Sequence, residues 1–154
     1  MRKIILASAS KARQKLLKQT GLRFRVVESR VKEGRLLKGR CGDFVIANAV
    51  KKARDVAGRF ETGVVIGADT VVLVGKKIVG KPGNMRDAAR SLKALSKKPQ
   101  WVYTGLAVID IDRSKMWIDY EKTKVYMYPL TDSEIKNYFK KISPFDTSIL
   151  KVRA

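Results

Sequence analysis

The sequence predicts a single α/β domain built on a mixed, twisted sheet with flanking helices. Three observations carry that expectation. Strand-like and helix-like segments are interleaved along the chain rather than grouped, which favours one α/β layer system. A length of 154 residues suits one domain with its own core and leaves little for a second. Hydrophobic residues make up 45% of the chain, with no internal repeat and no linker-like stretch, so disorder is not the expected state.

Lys3 to Ala7 reads as a short buried strand, and Ser8-Ala9-Ser10 opens a helix over Lys11 to Lys18 with Leu16 and Leu17 turned to the core. Gly21 stops that helix, because glycine takes the left-handed conformation at little cost. Phe24 to Val27 is the next strand. Ser29 to Gly42 is rich in Gly, Lys and Arg without a period, and reads as a loop. Asp43 caps a long helix ending near Phe60, with Phe44, Ala47, Val50, Ala53, Val56 and Phe60 as its apolar stripe. Val64-Val65-Ile66 is a buried strand by its β-branched run; it continues past Asp69 into Thr70 to Val74. A turn at Gly75-Lys76-Lys77 leads into Ile78-Val79. Asn84 caps a helix over Met85 to Leu95, with Ala88, Ala89, Leu92 and Leu95 on one side. Trp101 to Ile111 and Lys115 to Tyr128 make a hairpin around Asp112-Arg113-Ser114. Thr131, with Glu134 three residues on, is a capping box for a helix from Asp132 to Ile142.

Scarcity narrows the chemistry. One cysteine, Cys41, permits no internal disulfide and no Cys-x-x-Cys site. With no histidine, Ser-His-Asp triads, His-ligated zinc and imidazole acid–base chemistry are excluded. Catalysis must then rest on carboxylates, lysines and hydroxyls, with or without a metal held by oxygen ligands. The formal charge of +20, from 34 Lys+Arg against 14 Asp+Glu, draws nucleotides, nucleic acids or acidic surfaces, and equally describes a solvated lysine-rich exterior. No apolar run approaches the ~20 residues of a membrane span. Ile4 to Ala7 after Met1-Arg2-Lys3 is too short for a secretory signal, so a cytoplasmic protein is expected.

Several residues could carry chemistry. At the Ser8-Ala9-Ser10 junction, small side chains and free helix-start N–H groups suit an anion, with Lys11 and Arg13 in reach; an ordinary serine cap has the same appearance. In Val64-Val65-Ile66-Gly67-Ala68-Asp69-Thr70, apolar runs flank Asp69, and a carboxylate is costly to bury without a cation or donors. Carboxylates at strand ends in such sheets commonly face the ligand crevice, and Gly67 and Ala68 leave room there; a structural Asp bonding a turn is the alternative. Gly80-Lys81-Pro82-Gly83 sets Lys81 on a rigid turn, as a phosphate contact or a solvated lysine. Lys51, Lys52 and Arg54 occupy a helix face that would ordinarily be solvated. Glu33 is either a metal ligand or a neutralising charge in the basic loop.

Ser8-Ala9-Ser10-x-x-Arg13-x-x-Leu16-Leu17, Lys52-Ala53, Ile66-Gly67-Ala68-Asp69-Thr70, Gly80-Lys81-Pro82, Leu95-Ser96 and Thr104-Gly105 together resemble the Maf family, in order and at compatible spacing from Lys3 to about Asp146. The resemblance implies a two-lobed α/β fold around a deep cleft, like that of inosine triphosphatases. It implies a homodimer and hydrolysis of nucleoside triphosphates with Mg²⁺ or Mn²⁺. It also implies roles: Asp69 as proton acceptor and metal ligand, Glu33 near the metal, and Ser8, Arg13, Lys52 and Lys81 around the triphosphate. Thr70 corresponds to a position linked to base selectivity.

Departures from the family pattern qualify those roles. Ala12 stands where a second arginine is usual, Lys97 where a glycine follows Leu-Ser, and Lys98-Pro99-Gln100 replaces a nearby histidine. Pro144-Phe145-Asp146 runs into Thr147 to Ala154 instead of the family's Lys-Ala-Gly and Gln-Gly segments, so a shortened base pocket is expected. The expected function is metal-dependent conversion of a nucleoside triphosphate to monophosphate and pyrophosphate. The rival is a non-catalytic basic protein that binds nucleotides, or nucleic acid without sequence preference, on the same fold.

Overall fold

The computed structural model of the chain describes residues 2–32, 34, 40–80 and 82–143. Six strands and four helices follow in the order β1 (Ile4–Leu6), α1 (Lys11–Gln19), β2 (Phe24–Val26), α2 (Cys41–Ala57), β3 (Val64–Val74), β4 (Lys77–Val79), α3 (Met85–Lys97), β5 (Gln100–Asp110), β6 (Lys115–Val125) and α4 (Asp132–Lys141). The sheet order is β2-β1-β3-β5-β6, with β4 paired to β3. β1 is parallel to both neighbours, matching Ile4 with Phe24 on one side and with Val64 on the other. The step from β1 through α1 and the step from β2 through α2 cross the sheet in opposite directions. Right-handed crossovers therefore put α1 and α2 on opposite faces.

The rest of the sheet is antiparallel, which makes it mixed as expected. β3 turns back into β4 at Gly75, whose φ of +58° is the left-handed conformation that a tight hairpin asks of its first turn residue. The N–H of Ile111 donates to the carbonyl of Gly63 at 2.9 Å, so the end of β5 lies beside the start of β3. β6 follows β5 across a short turn and forms the sheet edge.

The chain clusters into two compact units, Met1–Thr70 with Tyr103–Lys122, and Val71–Val102 with Thr123–Ala154. The first has a core of Ile5, Ala7, Val65 and Ala107 from alternate strand positions, closed by Ala49, Ala53 and Val56 of α2. The second centres on Leu92, Leu95 and Ile135, where α3 meets α4, with Val72, Val74 and Val79 against them. Both of its helices start as their sequences predict. Asn84 accepts the Asp87 N–H at 2.9 Å, and the Thr131–Glu134 capping box is complete. The Thr131 backbone N–H bonds the Glu134 carboxylate at 2.7 Å, and this bond above all holds that carboxyl below its usual range.

Three expectations are corrected. Leu16 is 64% exposed and α1 buries no residue fully. Adjacent positions on a helix point about 100° apart, and the inward side of α1 is taken by Arg13, Gln14 and Leu17. Asp43 is not the cap of α2: the helix begins at Cys41, and Asp43 sits in its first turn, paired with Arg40 at 2.8 Å. The buried stripe of α2 is Val45, Ala49, Ala53 and Val56, while Ala47 is exposed and Phe44 only partly covered. The remaining boundaries differ by one to three residues, where terminal turns and strand ends fray. Among the described residues no helix is long and apolar enough to cross a membrane.

Candidate active site

Gly67 interrupts the β-branched run of β3, and the reason is steric. A Cβ built there would lie 2.3 Å from the carbonyl oxygen of Ala49 and 2.9 Å from the Ala53 Cβ. Gly105 on β5 is equally crowded, 2.5 Å from the carbonyl oxygen of Val45. Two glycines thus let α2 lie directly on the backbone of β3 and β5, an approach no other residue would permit. That depth brings the polar side chains of the same helix face, Asn48 and Lys52, down to the strand. They are one turn apart and therefore neighbours.

Asp69 meets them. It is two residues beyond Gly67 and so projects to the same side of β3. Lys52 Nζ lies 2.8 Å from Asp69 Oδ1, and Asn48 Nδ2 donates to Asp69 Oδ2 at 2.9 Å. Lys52 also reaches the Ala68 carbonyl at 3.5 Å. All three side chains are buried: Asn48 and Asp69 are 4% exposed and Lys52 8%. Lys51 and Arg54, by contrast, are solvated as their helix positions suggest.

Thr70, the next residue, turns to the opposite side. Its hydroxyl accepts from Arg13 Nη2 at 3.2 Å and lies 3.2 Å from the Thr104 hydroxyl on β5. Arg13 Nη1 donates to Ser8 Oγ, also at 3.2 Å, and the Ser10 N–H reaches that oxygen at 3.3 Å. Ser10 meanwhile caps α1 by accepting the Arg13 N–H. Ser8 is buried, at the end of β1.

The predicted site residues therefore fall into two groups on either side of adjacent β3 positions. Asp69 and Lys52 form one; Ser8, Arg13 and Thr70 form the other. Glu33 and Lys81 lie outside the described residues. Two members escaped sequence reasoning. Asn48 had a signal, its position one turn before Lys52 on the same helix face. Thr104 was named only within the Thr104-Gly105 pair of the resemblance, without a role, and its contact joins residues 34 apart in the chain.

Asp69 is not the only buried carboxylate. Asp110, between Ile109 and Ile111, is 2% exposed and is bound by Arg2 at 2.7 Å and by the turn N–H of Arg113 at 3.2 Å. Its partners come from the start of the chain and a turn, so it fastens the end of β5. Asp69 is held instead by side chains of a helix seated at fixed depth. An ionised carboxylate has about four acceptor positions. The contacts from Lys52 and Asn48 engage one per oxygen, and the others can take a proton or a cation. Among the described residues no group of three or more His, Cys, Asp or Glu gathers as a metal cage.

Comparison with known proteins places the chain in a family. A family profile described as Maf-like protein matches residues 3–148. The dTTP/UTP pyrophosphatase of Carboxydothermus hydrogenoformans is 40% identical over 144 residues, 94% of this chain and 77% of that relative. The dTTP/UTP pyrophosphatase of Pelotomaculum thermopropionicum is 42% identical over 141 residues, 90% of this chain and 72% of its own length. The solved structure of the Staphylococcus aureus Ham1 protein matches with a TM-score of 0.53 at 14% identity, over 80% of this chain and 70% of that one, a likeness of fold alone. With the profile spanning nearly the whole chain and relatives at 40% identity or more, this chain belongs to the Maf-like protein family.

Proposed function

We propose that the chain hydrolyses a pyrimidine nucleoside triphosphate to its monophosphate and pyrophosphate. The observation that carries this is Asp69, a buried carboxylate fixed on Lys52 and Asn48 in a strand opened by glycine. The names of the relatives, dTTP/UTP pyrophosphatase, supply the substrate class. In the reaction a water oxygen bonds to the α-phosphorus as the bond from that phosphorus to the α,β-bridging oxygen breaks. Pyrophosphate leaves with the electron pair, and the water proton passes to Asp69. Lys52 neutralises charge beside the carboxylate. Arg13, oriented by Ser8 and Thr70, offers a guanidinium suited to phosphate oxygens.

A divalent cation fits this donor set in one way. Mg²⁺ is usually bound through one or two carboxylates, with substrate phosphates and water completing its shell. Asp69 would supply one carboxylate and Glu33 the second. Such an ion would supply charge neutralisation on the phosphate oxygens. The proposal extends to the homodimer that the family resemblance implies. Supporting it, edge strand β6 exposes Met116, Trp117 and Ile118. Sedimentation as a monomer would remove that part of the proposal.

The test is Asp69→Asn, which keeps the shape and removes the base. We expect triphosphate binding to survive and pyrophosphate release to fall by far more than tenfold. Retention of more than about a tenth of the rate, only ~1.4 kcal/mol of barrier, would remove Asp69 as the base.

A further inference from the structure

Asn48 is buried beside the proposed catalytic carboxylate. We infer that Asn48 is a positioning residue whose amide fixes the plane of the Asp69 carboxylate without touching the nucleotide. This inference rests on the pyrophosphatase reading for its catalytic part, and its geometric part stands on the structure alone.

Lys52 holds Asp69 Oδ1 at 2.8 Å, but a single contact leaves the carboxylate free to swing about that point. The second contact, from Asn48 Nδ2 to Oδ2 at 2.9 Å, removes that freedom, because two donors on two oxygens define a plane. The donors are coupled through their backbone. Asn48 and Lys52 stand one turn apart on α2, and Gly67 and Gly105 set the depth of that helix against the sheet. The amide orientation follows from the contact itself, since a carboxylate oxygen accepts only and the amide must present its NH₂ group. Asn48 also differs from a second lysine in carrying no charge. It orients the carboxylate and leaves the ionic pairing to Lys52. An apolar residue of similar size would fill the space equally well, so packing alone does not account for an amide at a position 4% exposed.

Asn48→Leu keeps the number and branching of the side-chain heavy atoms and removes the donor. Steady-state kinetics with dTTP should show kcat lowered roughly 10–100-fold, the range for loss of an orienting partner or a misplacement of about 1 Å. KM should stay within about twofold, because no nucleotide contact is lost. Crystal structures of the parent and the variant should show the Asp69 carboxylate turned out of its plane while the α2 backbone stays in place. An unchanged kcat, a loss through KM alone, or an Asp69 carboxylate in its original plane would each overturn the assignment. If the parent protein hydrolyses no triphosphate, the pyrophosphatase reading fails by itself, and the two crystal structures still decide the positioning role. Should Asn48→Leu fail to fold, Asn48→Ala is read by the same criteria.

Discussion

Lys52 and Asp69 form an ion pair 2.8 Å apart with side chains 10% and 6% exposed. Breaking such a pair costs more than its presence contributes, because the remaining charge stays buried without its partner. Lys52→Met should therefore lower stability by about 3 kcal/mol. It should also weaken triphosphate binding far more than nucleoside binding, if the ammonium stands near phosphate oxygens. Thermal melting measures the first effect, and calorimetry with both ligands the second. Equal binding losses for the two ligands would confine Lys52 to a structural partner of Asp69. Asp69 was readable in the sequence because a carboxylate between apolar runs demands a partner. Lys52 was not readable from its own residue type, since it lies between exposed Lys51 and Arg54 and only its helix phase distinguishes it. Asn48 shares the helix phase of Lys52, but its partner is 21 residues away across a helix–strand contact, so the phase alone does not name that partner.

Among the elements, α2 decides the geometry. Its small residues Ala49 and Ala53 face Gly67, so helix and strand approach at backbone distance. Gly67→Ala would drive a Cβ into the Ala49 carbonyl, and the helix must shift to relieve it. We expect a loss of about 1–3 kcal/mol, the cost of overpacking. Hydrolysis should also fall, because the shift separates Asn48 and Lys52 from Asp69. Gly58→Ala, where an added Cβ meets only the Arg54 carbonyl at 3.6 Å, is the control and should leave both unchanged. Full activity in Gly67→Ala would show that the depth of α2 is not critical to the site. The expected stripe of α2 included Ala53 and Val56, which are buried, but it passed over Val45 and Ala49 on the same face in favour of Phe44 and the exposed Ala47. Similarly, α1 presents Arg13 and Gln14 inward beside Leu17, while Leu16 is exposed, so its inner side carries site chemistry as well as packing. The caps at Ser10, Asn84 and Thr131 and the turns at Gly21 and Gly75 were readable, being set by the chemistry of one or two adjacent residues.

For the molecule as a whole, fold class and family followed from several modest motifs in register, and the Maf-like match over residues 3–148 agrees with them. Two lobes were implied by the resemblance, but the boundary between the two compact units was not legible, because β3, β5 and β6 each run through both without a linker to mark it. The charge of +20 has two competing consequences. It favours a triphosphate at the Asp69 cluster, and it attracts any polyanion to the surface with a steep salt dependence. Pyrophosphate release separates them. The chain, supplied with Mg²⁺ at moderate salt, is given dTTP, UTP, ATP and GTP in turn, with binding of a random oligonucleotide measured in the same buffer. Release of pyrophosphate, faster from dTTP and UTP than from the purine nucleotides, with oligonucleotide binding lost at that salt, is the predicted result. No pyrophosphate from any triphosphate, together with oligonucleotide binding that persists, would contradict it.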